Sequence, residues 1–114
     1  MAAIFVLNRS LLVLRGKMDA ATLPRLKAGL WRLLRHRPPR LLVDLSRVTF
    51  IGSPALAVLI QARQDIHAYG GCLALFGLRG AVGTVFRLAL LDRVFPIFPD
   101  HAAAARAVGG EGSP

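Results

Sequence analysis

Few residues of this 114-residue chain have the types and spacing that chemistry requires. The carboxylates are Asp19, Asp44, Asp65, Asp92, Asp100 and Glu111, each set apart from the next, so no general acid–base pair is laid out along the chain. His36, His67 and His101 lack metal-ligand spacing, and the single cysteine, Cys72, excludes a disulfide framework and a cysteine-based zinc site. Cys72 sits in an apolar run and reads as a small buried hydrophobe rather than a nucleophile. Gly70-Gly71 and the Gly77–Gly83 stretch lack the Gly-x-x-x-x-Gly-Lys pattern of a phosphate cradle. No enzyme activity, cofactor or metal is therefore expected. What remains is a hydroxyl in a special setting: Ser53 stands between Gly52 and Pro54 ahead of an apolar helical run. Ser53 is expected to be the N-cap, its hydroxyl accepting from a free backbone N–H, with Pro54 at the first helical position. Such a helix start also attracts anions, in a generic way.

The charge balance is the second candidate for function. Fifteen Lys and Arg face six Asp and Glu, a formal net charge of +9, and thirteen of the cations are arginines. Hydrophobic residues make up 54% of the chain, which excludes a disordered basic tail because so much apolar surface must be buried. Arg32, Arg35, His36, Arg37 and Arg40 gather at one point, just before and after Pro38-Pro39. A helix C-terminus favours cations by about 0.3–1 kcal/mol each, so this cluster has a structural explanation. No aromatic residues interleave with it for base stacking, which disfavours nucleic acid.

The elements that must position these residues follow from periodicity. Ile4–Leu7 and Leu11–Arg15 form a hairpin across Asn8-Arg9-Ser10, the second strand ending at Gly16. Asp19 or Thr22 caps a helix whose stripe is Leu23, Leu26, Leu30, Leu33 and Leu34, bordered by Trp31 and stopped before Pro38. Leu41–Leu45 reads as a central strand covered on both faces, and Ser46–Ile51 as a connection. A helix from Ser53 to about Tyr69 places Ala55, Leu59, Ala62 and Ile66 inward and ends at Gly70-Gly71. Cys72–Phe76 is a strand, and a third helix spans about Ala81–Asp92 with Val82, Val85, Phe86, Ala89 and Leu90 on its core face. Val94–Phe98 is an edge strand because Pro96 cannot donate to a ladder, and Asp100 caps a last helix over His101–Val108. The order β-β-α-β-α-β-α-β-α predicts an α/β sandwich around a mixed sheet. One domain over 1–108 and a disordered tail over 109–114 are expected.

With that order in hand, three motifs resemble the STAS domain, the fold of bacterial anti-sigma factor antagonists. The family reads Asp-Leu-Ser-x-Val-x-Phe, an apolar residue, Asp or Gly, Ser, then Ser or Thr, Gly, Leu. The segment from Asp44-Leu45-Ser46 through Val48, Phe50, Gly52-Ser53-Pro54 and Ala55-Leu56 is similar to it. Gly16-Lys17-Met18-Asp19 resembles the upstream Gly-Glu-Leu-Asp, and Leu91-Asp92-Arg93-Val94-Phe95-Pro96 the entry to the last strand. The matches fall in register between Leu11 and Val108.

The resemblance implies a protein-binding module whose partner is an anti-sigma factor that doubles as a kinase. It also implies that phosphate on a loop Ser or Thr breaks the complex, adding about −1.5 to −2 charge to a surface shaped to dock without it. Here the acceptor position is Pro54, the preceding family serine is Ser53, and the family glycine is Ala55. The family's acid is Lys17, and a glycine expected at the end of the third helix is Leu90. The resemblance places partner contacts at Gly52, Ser53, Pro54, Ala55, Lys17 and Asp19, with Ser53 the remaining phosphosite candidate. Lys17 implies a more acidic partner surface than the family's usual one. Two alternatives stay open: a STAS subunit of a transport or signalling scaffold, and a basic binder of nucleic acid or anionic membrane. The run Val48–Ala62 is too short to span a bilayer and Met1–Leu7 lacks the flanks of a signal peptide, so a cytoplasmic protein is expected, with a homodimer left open.

Overall fold

The computed structural model describes residues 2–109. The chain forms β1 (Ala3–Asn8), β2 (Leu11–Met18), α1 (Leu23–Leu34), β3 (Arg40–Ile51), α2 (Ser53–Ala68), β4 (Cys72–Phe76), α3 (Gly80–Leu88), β5 (Ile97–Phe98) and α4 (His101–Gly109). The expected order holds throughout. Strands lie side by side as β1-β2-β3-β4-β5, with β1 antiparallel to β2 and the other pairs parallel.

Alternation explains why β3 and β4 read as almost continuous apolar runs. Leu41, Val43 and Leu45, with Leu73 and Leu75, face the core beneath α1, α2 and α3. Leu42, Ala74 and Phe76 point to the other face, where Ala104 of α4 covers them. Asn8 Oδ1 accepts from the Ser10 N–H at 2.7 Å and closes the β1–β2 turn. α1 buries Leu26, Gly29, Leu30 and Leu33, and it approaches β1 so closely that a Cβ on Gly29 would meet Ile4 at 3.1 Å. The Asp100 carboxylate caps α4 by accepting from the Ala103 N–H at 2.9 Å.

Five boundaries differ from expectation. Ser46–Ile51 is not a connection but the second half of β3, and β2 continues past Gly16 to Met18 to pair with it. Val48 and Ile51 are buried while Arg47, Thr49 and Phe50 are exposed, so polar side chains on the open face gave this strand the composition of a loop. Two register shifts in the β2–β3 pair, one of them at Gly16 with φ +85°, absorb the mismatch. The third helix ends at Leu88, four residues before Asp92, because Leu90 takes a left-handed conformation (φ 58°, ψ 24°). Leu90 and Ala89 are exposed instead of facing the core, and Val85 is half-buried. A 3-10 turn over Leu91–Arg93 follows, and the edge strand shrinks to Ile97–Phe98. Phe95 leaves the expected strand to pack edge-on against Phe86, ring centroids 6.1 Å apart. Gly109, expected in the tail, is the last residue of α4, and the rest of the expected tail, residues 110–114, lies outside the described residues.

Candidate functional site

The extension of β2 and β3 builds the site. Their last pairs, Lys17 with Phe50 and Met18 with Ile51, carry the chain to Gly52, whose N–H donates to the Met18 carbonyl at 3.0 Å. Lys17 and Asp19 are thereby brought beside the start of α2. Gly52 is the N-cap, in extended conformation (φ −95°, ψ 167°), and its carbonyl accepts from the Leu56 N–H at 3.1 Å.

Ser53 is therefore not the N-cap. It occupies the first helical position and Pro54 the second, and no side chain caps this helix. A hydroxyl inside the first turn cannot reach forward to the N–H groups that an N-cap oxygen serves. Ser53 and Pro54 are both exposed, whereas Ala55 is fully buried and presents no side-chain surface to a partner. The turn thus offers a bare helix start, one hydroxyl and one pyrrolidine ring.

Asp19 belongs to a separate knot at the start of α1. Its Oδ1 accepts from the N–H of Ala21 at 3.1 Å and of Thr22 at 3.3 Å, while the Asp19 N–H donates to Thr22 Oγ1 at 3.1 Å. The buried Thr22 hydroxyl has one proton and two acceptors in reach, the Lys17 carbonyl at 2.7 Å and Asp19 Oδ1 at 2.9 Å. The Thr22 hydroxyl, with lesser help from backbone N–H groups, holds the Asp19 carboxyl below its usual range against the opposing effect of desolvation. Asp19 shapes this loop and leaves Lys17 free and exposed.

Two surfaces lie near the start of α2, and neither is evident from the sequence alone. One is an apolar groove of about 720 Å³ between α1 and α2, lined by Leu23, Trp31, Leu34, Pro54 and Val58 with Lys27 and Asp65 at its polar margin. Trp31, expected only at the border of the α1 stripe, is 66% exposed there. The other is a groove of about 560 Å³ lined by Arg15, Lys17, Asp19, Arg25, Arg47 and Thr49, among others. Its arginines come from three elements, so only the strand register could have gathered them.

The basic cluster at the end of α1 is remote from the basic groove but touches the apolar one through Trp31. Arg35 lies 5.1 Å from the Trp31 ring centroid and Arg37 5.7 Å from that of Tyr69. Cys72 is half-exposed at the start of β4, and partial burial pushes its thiol pKa up, against a smaller effect of Arg63. Among the described residues no group of three or more His, Cys, Asp and Glu is placed to hold a metal ion, and no helix is long and apolar enough to cross a membrane.

A hairpin feeding a parallel βαβ series, with a bare helix start after the long central strand, defines a class of small α/β domains. The STAS domain profile matches residues 5–104, and the chain belongs to that family. It is 29% identical over 94 residues to BtrV of Bordetella bronchiseptica, named as a candidate anti-sigma factor antagonist, covering 82% of this chain and 81% of BtrV. An anti-sigma factor antagonist from Mycobacterium paratuberculosis superposes with a TM-score of 0.82 at 26% identity, covering 95% of this chain and 92% of that one. The Bacillus cell fate determinant SpoIIAA in its phosphorylated form shares the fold, with a TM-score of 0.67 at 15% identity over 94% of this chain and 99% of its own. The chain is an anti-sigma factor antagonist-like STAS domain.

Proposed function

We propose that this protein docks an anti-sigma factor of the kinase type through Gly52, Ser53, Pro54 and the adjoining Lys17–Asp19 strand end, without the phospho-release switch at the family's acceptor position. The observation that carries this reading is the start of α2. An exposed turn, pinned to β2 by the Gly52–Met18 hydrogen bond, presents a ring with no hydroxyl where the family carries its acceptor. Ser53 is the one Ser or Thr between Thr49 and Thr84, and its hydroxyl does not cap the helix, so it is the residue to watch. The protein acts by binding, and phosphate control, where it exists, belongs to another site or another protein. Mixing the purified chain with candidate anti-sigma kinases, with and without ATP, tests this. A complex that persists in ATP with no added phosphate is expected. A phosphate confined to Ser53 that releases the complex overturns the loss of the switch, and no complex with any candidate overturns the antagonist reading.

The apolar groove beside Pro54 supports a second reading, a permanent subunit of a scaffold or transport assembly, because contiguous exposed apolar surface marks lasting interfaces. A chain that elutes as a lone monomer in gel filtration counts against that reading.

A further inference from the structure

Arg15 and Arg47 occupy paired positions in the parallel β2–β3 ladder, and both are exposed. Like charges set opposite one another across strands are destabilising. Lys17 follows on β2 with Phe50, 49% exposed, as its partner on β3. Arg25 reaches over from α1, where its Nη1 donates to the Ala2 carbonyl at 3.3 Å. Thr49 adds a hydroxyl two residues along β3 from Arg47. The one carboxylate in the lining, Asp19, spends its Oδ1 on its own loop. The fold thus gathers four cations around one groove at a cost in repulsion, and sets the exposed Phe50, itself outside the lining, across the β2–β3 pair from Lys17 at the groove's edge.

We propose that the groove of Arg15, Lys17, Arg25 and Arg47 receives an acidic segment of the protein partner, carboxylates meeting the cations and an apolar side chain meeting Phe50. This deepens the docking function and rests on it, since the groove joins the Ser53 turn through the Met18–Gly52 hydrogen bond. Nucleic acid fits less well. A duplex presents a charge every ~1.7 Å and calls for cations spread along a track, with aromatic platforms where single strands bind. Here the cations converge on about 560 Å³, no aromatic ring lines the groove and Phe50 stands alone at its edge, while the arginine stacked on Trp31 lies at the far end of α1, a helix about 18 Å long for twelve residues.

The test uses a short fluorescent peptide of alternating Glu and Leu, its Gln counterpart, and a single-stranded oligonucleotide of equal charge, read by anisotropy at low and physiological salt. The Glu peptide is expected to bind in a salt-sensitive way and the Gln peptide not to bind. Arg47→Glu should weaken the Glu peptide about tenfold, while Arg32→Glu leaves it within about twofold. The Arg47→Glu variant should melt about 2 °C higher, because the cross-strand pair becomes Arg–Glu, so a loss of binding cannot be ascribed to unfolding. The proposal is overturned if the two variants weaken the peptide equally, if neither weakens it, if the peptide does not bind, or if the oligonucleotide displaces it at lower concentration through the same residues. Failure of the docking function shows separately, as the absence of a kinase complex while peptide binding at the groove persists.

Discussion

The two ends of α1 both carry excess positive charge, and they treat it in opposite ways. At the C-terminal end Arg32 lies in the last turn, Arg35 packs over Trp31, and Arg37 packs over Tyr69. The helix dipole and the ring faces both favour cations there, so the local structure accounts for this cluster. At the N-terminal end Arg25 joins Arg15, Lys17 and Arg47 around a groove whose one carboxylate is tied into the Thr22 knot. The strand register there sets two arginines side by side. The net charge of +9 does not distinguish the two ends, whereas the position of each cation relative to its neighbours does.

Thr22 ties the N-terminal end of α1 together, so removing its hydroxyl should have the greatest consequence. Thr22 is 2% exposed, and Thr22→Ala leaves the Lys17 carbonyl and the Asp19 N–H without their partner. A loss of about 1–2 kcal/mol is expected in urea denaturation, with Thr22→Ser, which keeps the hydroxyl, losing much less. If Thr22→Ala is neutral, the groove is not organised by this knot.

A helix end with the opposite balance gives the next effect. Leu90 holds a left-handed conformation with its side chain 56% exposed, so Leu90→Gly removes backbone strain and little packing. A gain of about 0.5–1 kcal/mol is expected, after the extra entropy of glycine in the unfolded chain is set against the relief. Arg37, also left-handed at φ 47°, would lose its contact with Tyr69, so Arg37→Gly should be close to neutral.

Smaller still is Arg35→Ala at the C-terminal end, which should cost about 0.5 kcal/mol and leave peptide binding at the groove unchanged. A large loss of binding would erase the contrast between the two ends.

The last expectation concerns pH. Asp19 has a folded pKa below its ordinary 3.8, so its ionised form contributes stability above that value. The contribution is lost as pH falls from there through the folded pKa. Thermal melts of Asp19→Asn should therefore fall less steeply with acid below about pH 4 than those of the parent chain.

The order of elements and most of the core were legible because leucine stripes and apolar runs carry their period in the open. Leu26, Leu30 and Leu33, and likewise Ala55, Leu59, Ala62 and Ile66, are buried as their spacing requires. The second half of β3 was not legible, since Ser46, Arg47 and Thr49 belong to its less buried side and read as loop. Leu90 is a good helix former, so composition extends α3 through it. The resemblance, which expects glycine at that position, carries the sign that the backbone turns left-handed there. At the site, Gly52, Ser53 and Pro54 were legible as a helix start, but Gly52 rather than Ser53 took the cap. The basic groove was out of reach, because Arg15 and Arg47 are thirty-two positions apart and only the β2–β3 register makes them neighbours.

The proposed loss of the switch rests on the proline ring at the acceptor position. Pro54→Ser restores a hydroxyl there, and intact mass and complex size are followed as ATP is added to the domain and a candidate anti-sigma kinase. The expected result is one phosphate on the introduced serine and release of the complex, while the parent chain stays bound and unmodified. A parent chain that takes phosphate on Ser53 and releases its partner as readily as the variant would contradict the account.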